Sequence, residues 1–209
     1  MQITPQYLKE QGFEFLEKVK HYEYNSFLQK LNWNYSKTYW FYNFCLVLSV
    51  TLTLILIAVS YEAYLFKFLY AFLGVLLAMI LIIVHECIHY LMYMIFGAEK
   101  IRIARYEGKE YILTQADHFL VGKKEIGWIA LMPYVIITLS CLLLIPFSES
   151  LIQILLSSTI LMHTTMSKED FRIIHYFSSQ KSDVKMYTDI NSETTFFYKR
   201  KVEGSKNKY

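Results

Sequence analysis

The sequence is poor in charged residues, cysteine and proline, and each shortage excludes classes of protein. Only 19% of its 209 residues are charged, whereas 55% are hydrophobic. The three cysteines match neither a disulfide framework nor a zinc-cysteine motif, and we expect Cys45, Cys87 and Cys141 to be buried small hydrophobic side chains. A net charge of +3 is too small to indicate a nucleic-acid partner. The composition predicts an integral membrane protein.

Four uncharged runs predict four transmembrane helices embedded in the lipid bilayer. They cover Thr38–Tyr61, Phe68–His85, Ile126–Pro146 and Ser150–Ser167. As a helix, the second run would be about 27 Å long, which is close to the hydrocarbon thickness of a bilayer. Tyr39 to Tyr42 form an aromatic belt of the kind that lies at a membrane interface. We predict a four-span core over residues 38–170.

The polar segments around this core give weaker signals. Residues 1–37 contain both charge signs and no apolar core segment, so we expect no cleavable signal peptide. Their apolar residues recur at steps of three to five, which predicts an amphipathic helical arm (Phe13, Leu16, Val19, Tyr24, Phe27, Leu31). This helix could lie on the membrane surface, pack on the bundle or be solvated. The sequence of the tail, residues 171–209, is compatible with a short strand pair around residues 189–192 and also with a disordered terminus.

The loop at residues 97–125 predicts both a hairpin and the orientation of the chain. Alternation at residues 100–103, a turn at Glu107-Gly108-Lys109 and an apolar return predict a short β-hairpin over residues 100–113. The loop carries six Lys or Arg and the chain from Lys168 onward carries nine, whereas the opposite loops contain only Lys67. The fold prediction is therefore an all-α membrane protein with four transmembrane helices, a short cytoplasmic β-hairpin and both termini on the cytoplasmic side of a cell membrane.

An H-E-x-x-H motif interrupts the apolar run of residues 68–96. On a helix, the four-residue step places the imidazoles of His85 and His89 on one face, so that both can bind one metal ion, while Glu86 acts as a general base. Ionisable residues in a membrane helix are costly and usually functional. The alternative is a polar cluster at a helix end that binds no metal.

A catalytic zinc with one open position needs a third protein ligand. In the four-span topology the chain directly after the fourth span returns to the depth of the motif, and that position carries Glu169 and Asp170. We expect Asp170 to bind the metal, with Glu169 as the second choice. His163 lies seven residues earlier on the same helical face and is a candidate catalytic donor to the substrate carbonyl, although a packed side chain is the simpler interpretation. For His21, His118 and His175 we expect no role.

These motifs resemble those of a bacterial family of zincin peptidases, small membrane proteins distantly similar to site-2 proteases. The likeness extends over roughly residues 68–195. Leu131 and Pro133 match a Leu-x-Pro of the family, and Ser167 and Asp170 match the ends of its Ser-x-Gly-Asp, in which Glu169 replaces glycine. The Asn-Pro-Asp-Gly-like loop of true site-2 proteases is absent.

The resemblance implies a membrane-embedded, zinc-dependent endopeptidase acting near the cytoplasmic face. His85, His89 and Asp170 would hold Zn²⁺, and Glu86 would take a proton from water and return it to the leaving amine. Fe, Co or Mn fits the same donors. A peptide or membrane protein would be the substrate, and it could add as a strand to the edge of the hairpin at residues 100–113, in which Ile103 lies. The alternative function is a non-catalytic membrane protein that binds a peptide or partner in the same pocket.

Overall fold

The structure, a computed structural model, describes residues 5–105 and 112–201. It is mostly helical, at 65%, with small antiparallel sheets. The helices are α1 (Pro5–Glu10), α2 (Tyr24–Lys30), α3 (Lys37–Val59), α4 (Tyr64–Ile80), α5 (Ile82–Ile95), α6 (Lys123–Leu144), α7 (Ser150–Met166) and α8 (Lys168–Ser179). The strands are β1 (Phe13–Lys20), β2 (Ile101–Arg105), β3 (Ile112–Ala116), β4 (Leu120–Val121), β5 (Val184–Asp189) and β6 (Thr194–Arg200). The fold therefore contains more β-structure than the predicted all-α fold with one short hairpin.

Within the described residues, three helical segments are long and apolar enough to cross a membrane. They are Lys37–Val59, Tyr64–Ile95 and Lys123–Phe147. The second joins α4 to α5 through Leu81, where the hydrogen bonding continues, because the His85 amide donates to the Leu81 carbonyl at 2.9 Å. The fourth predicted span corresponds to α7, an apolar helix of 17 residues. At 1.5 Å per residue it is about 25 Å long.

Small and polar side chains bring α7 close to its neighbours in the bundle. The Thr159 hydroxyl donates to the Gly74 carbonyl of α4 at 3.0 Å, and the hydroxyls of Ser49 and Thr164 join α3 to α7 at 3.3 Å. In an apolar environment, such close backbone approach and interhelical hydrogen bonds are the main source of helix association. They place α7 against both α3 and α4.

Lys67 lies within α4 and not in a solvated loop. Its ammonium group donates to the carbonyls of Ile57 at 2.9 Å and Ser60 at 2.6 Å, at the C-terminal end of α3. The last carbonyls of a helix lack partners within the helix and carry partial negative charge. The buried lysine therefore closes the connection between α3 and α4.

A four-stranded antiparallel sheet in the order β1-β6-β5-β4 joins three distant parts of the chain. The predicted helix in the N-terminal arm is wrong over Phe13–Lys20, which form β1 and pair with β6, with a bulge between Phe15 and Glu17. Phe13 and Phe15 alternate with Glu14, which suits a strand once a partner is available. The predicted strand pair in the tail is confirmed as β5 and β6. The division at residues 37 and 170 stays a prediction.

The predicted hairpin is present as the antiparallel pair of β2 and β3. Ile101 pairs with Ala116 and Arg105 pairs with Ile112, so β3 extends beyond the predicted return segment. The turn predicted at Glu107-Gly108-Lys109 lies outside the described residues. Of the three cysteines, Cys45 and Cys141 are buried as predicted. Cys87 is exposed, which corrects the prediction, because the motif helix turns its histidine face inward and Cys87 away from it.

Gly74 should be essential for packing, because a Cβ there would lie 2.3 Å from the Leu155 carbonyl oxygen and 2.8 Å from the Ser158 Cβ. We expect Gly74→Ala to separate α4 from α7 and to lower the free energy of unfolding by about 1–3 kcal/mol, the usual cost of overpacking. Thermal unfolding in detergent measures the change. The matched control is Gly127→Ala in α6, where a Cβ meets nothing within 4 Å. Equal destabilisation by both substitutions would contradict the packing.

Candidate metal centre

The motif helix α5 presents its ionisable residues to the interior of the protein. Its buried residues include His85, Glu86, Ile88 and His89, so the polar motif and the apolar packing share one face. The exposed fractions of His85, Glu86 and His89 are only 4%, 7% and 8%. Isolated charges at such depth would be strongly unfavourable, and they therefore need one another or a cation.

Asp170, in the first turn of α8, meets both motif histidines. Its Oδ2 lies 3.1 Å from His85 Nε2, and its Oδ1 lies 3.4 Å from His89 Nε2. The two Nε2 atoms are 3.0 Å apart. One ligand atom from each residue falls within 4.8 Å of the others. The predicted set of His85, His89 and Asp170 is thus brought together from helices more than 70 residues apart in the chain.

The far side of each imidazole is already hydrogen-bonded, which orients both Nε2 atoms toward Asp170. His89 Nδ1 lies 2.9 Å from the Ile129 carbonyl oxygen of α6, so it carries the proton and donates. His85 Nδ1 lies 3.1 Å from His163 Nε2. Histidine ligands in metal sites are commonly fixed in this manner. Two imidazole lone pairs and a carboxylate that face one point form a donor set that fits a divalent metal such as zinc.

Asp170 and its neighbour Glu169 have different surroundings. Burial alone would raise the pKa of Asp170, but the adjacent His89 and His85 hold that pKa well below its ordinary value. Glu169 points to Arg172, whose guanidinium donates to Oε1 at 2.6 Å, while burial raises the pKa of the Glu169 carboxyl. Of the two candidates for the third metal ligand, the geometry favours Asp170, because Asp170 faces the histidines while Glu169 is held by Arg172.

Glu86 does not join this cluster of ligand atoms. Its Oε2 accepts a hydrogen bond of 2.6 Å from the Thr114 hydroxyl of β3. Both residues line the same cavity as His85, His89 and Asp170. No pattern in the sequence pointed to Thr114, because its contact with Glu86 arises from the packing of the hairpin on α5.

His163 lies behind His85. It is fully buried, its Nε2 contacts His85 Nδ1, and its ring is parallel to that of Tyr134 at 6.1 Å. In the described part of the chain, the residues that line the cavity do not include His163. The predicted donation to a substrate carbonyl stays a prediction without a contact in its favour.

The cavity beside the ligand cluster has a volume of about 430 Å³. Ligand-binding clefts commonly have volumes of about 300–1,000 Å³. Its walls come from α2, the C-terminal end of α4, α5, β3, α6, the last residue of α7 and α8. The contribution of α2 was not anticipated, because nothing in the local sequence connects it to the motif.

A second group of possible metal ligands lies at the four-stranded sheet. It contains Asp117, His118 and Asp189, all partly exposed. Asp117 Oδ1 accepts from the Ile190 amide, and Asp189 Oδ1 accepts from the Asn191 amide. These bonds order the turns beside the sheet. The expectation of no role for His118 stays a prediction.

Two histidines of an H-E-x-x-H helix, a distant carboxylate and a glutamate beside the first histidine are the arrangement typical of a zincin metal site. A family model described as "Putative zincin peptidase" matches residues 78–185, slightly more than half of the chain. The chain belongs to this family. The matched region contains His85, Glu86, His89 and Asp170. No curated protein and no solved structure matches the chain.

Exchanging the neighbouring carboxylates one at a time should distinguish the third ligand. We expect Asp170→Asn to weaken zinc binding by more than about 100-fold, because even the partners of ligands are worth about 10–100-fold. Glu169→Gln should retain zinc, because Glu169 is paired with Arg172 and not with the histidines. Zinc titration of the detergent-purified chain measures both. Loss of zinc in Glu169→Gln with retention in Asp170→Asn would reverse the assignment.

Proposed function

We propose that the protein is a membrane-embedded, zinc-dependent endopeptidase that cleaves peptide bonds near the cytoplasmic membrane face. The observation that carries the proposal is the meeting of His85, His89 and Asp170 at one edge of a cavity that Glu86 also lines. Membership of the zincin family supports zinc as the metal and peptide hydrolysis as the reaction.

His85, His89 and Asp170 would hold the metal through two Nε2 atoms and a carboxylate oxygen. When bound, zinc supplies a Lewis acid that polarises a peptide carbonyl and makes water a better nucleophile. The cluster is buried, which keeps these donors in a fixed arrangement and limits competing water. His163 and the Ile129 carbonyl would act through the ligands, as positioning groups, by fixing the imidazole rings.

Glu86 would act as the general base and then as the general acid. Its carboxylate would accept a proton from the attacking water and return it to the leaving amine. Metal binding alone does not require a glutamate at this position, so its presence favours the catalytic role. The Thr114 hydroxyl occupies one carboxylate oxygen and holds the side chain toward the cavity. The other oxygen is the one that would exchange the proton.

The edge of β3 is a suitable place for an extended substrate. Within the described part of the chain, β3 pairs only with β2, and Ile112, Leu113 and Thr114 of β3 line the cavity. A peptide added as a strand would use backbone hydrogen bonds common to all sequences. Ile112 and Leu113 belong to the predicted docking hairpin of residues 100–113, whereas Ile103 of β2 does not line the cavity, so the proposed docking edge is that of β3.

The connectivity of the sheet supports four membrane crossings. β1 precedes α3, β4 lies between α5 and α6, and β5 and β6 follow α8. Because these strands share one sheet, the chain must return to the same side of the membrane before each of them. If α3 and α4–α5 form one pair of crossings, α6 and α7 form the second. The excess of Lys and Arg beside these strands favours the cytoplasmic side for both termini.

Replacing Glu86 should strongly reduce catalysis without removing the metal. We expect Glu86→Gln to keep about one zinc per chain and to reduce turnover of a peptide library by about 10²–10⁴-fold, the typical contribution of a general base. Metal analysis and a fluorogenic peptide assay on the detergent-purified chain measure both quantities. The matched control is Glu99→Gln, an exposed carboxylate beyond α5, which should not change turnover. Peptide binding without turnover in zinc-loaded parent protein would favour the non-catalytic alternative.

The proposed topology predicts which positions a membrane-impermeant thiol reagent can reach. In a chain whose three cysteines are replaced by serine or alanine, we expect single cysteines at Glu62 and Glu149 to react in intact cells. Cysteines at Lys124 and Lys181 should react only after the membrane is opened. All four positions are exposed in the structure, so unequal reaction reports the side of the membrane and not burial. Reaction of a cysteine at position 181 from outside, while one at position 124 stays protected, would exclude the fourth crossing.

A further inference from the structure

One wall of the cavity comes from a part of the chain that the sequence did not connect with the metal centre. Tyr24, Asn25 and Leu28 of α2 line the same cavity as Glu86 and His89. Leu28 lies one helical turn after Tyr24, so a single face of α2 supplies this wall. Gln29, on the same short helix, is exposed and does not line the cavity.

This wall lies outside the region that defines the family. The family model begins at residue 78, whereas α2 spans Tyr24–Lys30. The ligands, Glu86 and β3 all lie inside the matched region. The groups proposed for the reaction and the wall formed by α2 are therefore separate parts of one cavity, which is the division expected between chemistry and substrate selection.

The sheet and α8 hold α2 in place against the cavity. The ring of Phe27 contacts Tyr176 of α8 at 5.4 Å and Phe197 of β6 at 5.6 Å between ring centroids. Leu28 is only 2% exposed. Aromatic contacts of this kind add to the burial of apolar area. Packing of Phe27 on α8 and β6, together with burial of Leu28, therefore fixes the position of α2 beside the cavity.

Most of the remaining lining is apolar, although Tyr93, Thr114 and Glu169 also contribute to it. Away from the ionisable cluster, the walls are formed largely by aliphatic side chains, among them Ile82, Ile112, Leu113, Ile126, Ile129 and Ile173. An uncompensated polar or charged substituent would lose hydration in such surroundings, whereas an apolar side chain would gain from burial. The cavity is also continuous with the edge of β3, along which a peptide backbone could lie.

We propose that α2 is the specificity wall of this cavity and selects peptide substrates that carry a bulky apolar side chain beside the cleaved bond. The inference rests on the proposed peptidase function and names the substrate class for that site. Asn25 and Leu28 determine the depth available to the side chain. Tyr24 closes the wall at the preceding turn of α2.

The test measures kcat/KM for a peptide series that differs at one position, with Ala, Leu, Phe or Trp. We expect the parent to prefer Leu and Phe over Ala by at least about tenfold, because one methylene in a fitted apolar pocket is worth roughly 10–200-fold. Asn25→Phe should narrow the cavity and shift the Phe-to-Ala ratio toward Ala by about tenfold. Leu28→Ala should enlarge it and improve Trp relative to Leu. A ratio for one preparation is independent of the fraction of folded enzyme.

Gln29→Phe is the matched control, because it adds the same ring to the exposed side of α2 and should leave the ratios unchanged. A second measurement is binding of the same peptides to Glu86→Gln protein with and without Asn25→Phe, followed by fluorescence anisotropy. It should show the same order of preference without turnover.

The outcomes separate this inference from the proposed function. Hydrolysis by the parent with ratios unaffected by Asn25→Phe and Leu28→Ala would overturn the role of α2 and leave the peptidase intact. Absence of hydrolysis, together with peptide binding that still changes with Asn25→Phe, would overturn the peptidase and leave α2 as the selective wall. Neither hydrolysis nor binding of any apolar peptide would overturn both.

Discussion

Two imidazoles and a carboxylate that meet inside an apolar helix bundle are the constraint on which the rest of this structure depends. The Nε2 atoms of His85 and His89 lie within 3.4 Å of each other and of the Asp170 carboxylate oxygens. An isolated charge in these buried surroundings would be very costly. Such a group is stable only if all its members are held at the same depth. The bundle must therefore bring α5 and α8 together closely, while α6 and α7 supply the groups behind the histidines.

The packing of α7 meets this requirement. Gly74 allows α4 to approach the backbone of α7, and hydrogen bonds from Thr159 and Thr164 connect α7 to α4 and α3. His163 on the same helix then lies against His85, and α7 ends at Met166, four residues before Asp170. One close helix contact thus determines the position of two parts of the candidate metal centre.

The sheet outside the bundle has a different effect, since it decides what surrounds the centre. β1, β4, β5 and β6 come from the arm, the polar loop and the tail, and their pairing gathers these segments at one end of the bundle. Through Phe27, this assembly presses α2 against α8 and sets one wall of the cavity. The hairpin of β2 and β3 supplies a polar contact to the motif, because the Thr114 hydroxyl donates a hydrogen bond to Glu86. Access to the centre is therefore shaped by elements remote from the motif in sequence.

Local patterns were sufficient wherever neighbours in sequence carry the interaction. The four-residue spacing of His85 and His89 depends only on helix geometry. Alternation at residues 100–103 predicted the hairpin that forms β2 and β3, and the turn at residues 189–192 predicted the strand pair that forms β5 and β6. Asp170 was predicted from topology, because a chain that crosses a membrane and returns would bring the residues after its fourth span to the depth of the motif, and the structure places Asp170 beside both histidines. The apolar runs likewise identified the helices, although in the part of the chain that the structure describes only three helical segments reach the length expected of a full crossing.

Long-range contacts decided the rest. Phe13, Leu16 and Val19 have a spacing that also suits a helix, and only pairing with β6, about 180 residues away, selects the strand. The same holds for Thr114 beside Glu86, for His163 behind His85 and for α2 beside the cavity. Each of these positions depends on which surfaces are buried against each other, and burial is a property of the assembled chain. The candidate ligands could therefore be recognised from residue types and spacing, whereas their orientation and the shape of the cavity required the tertiary structure.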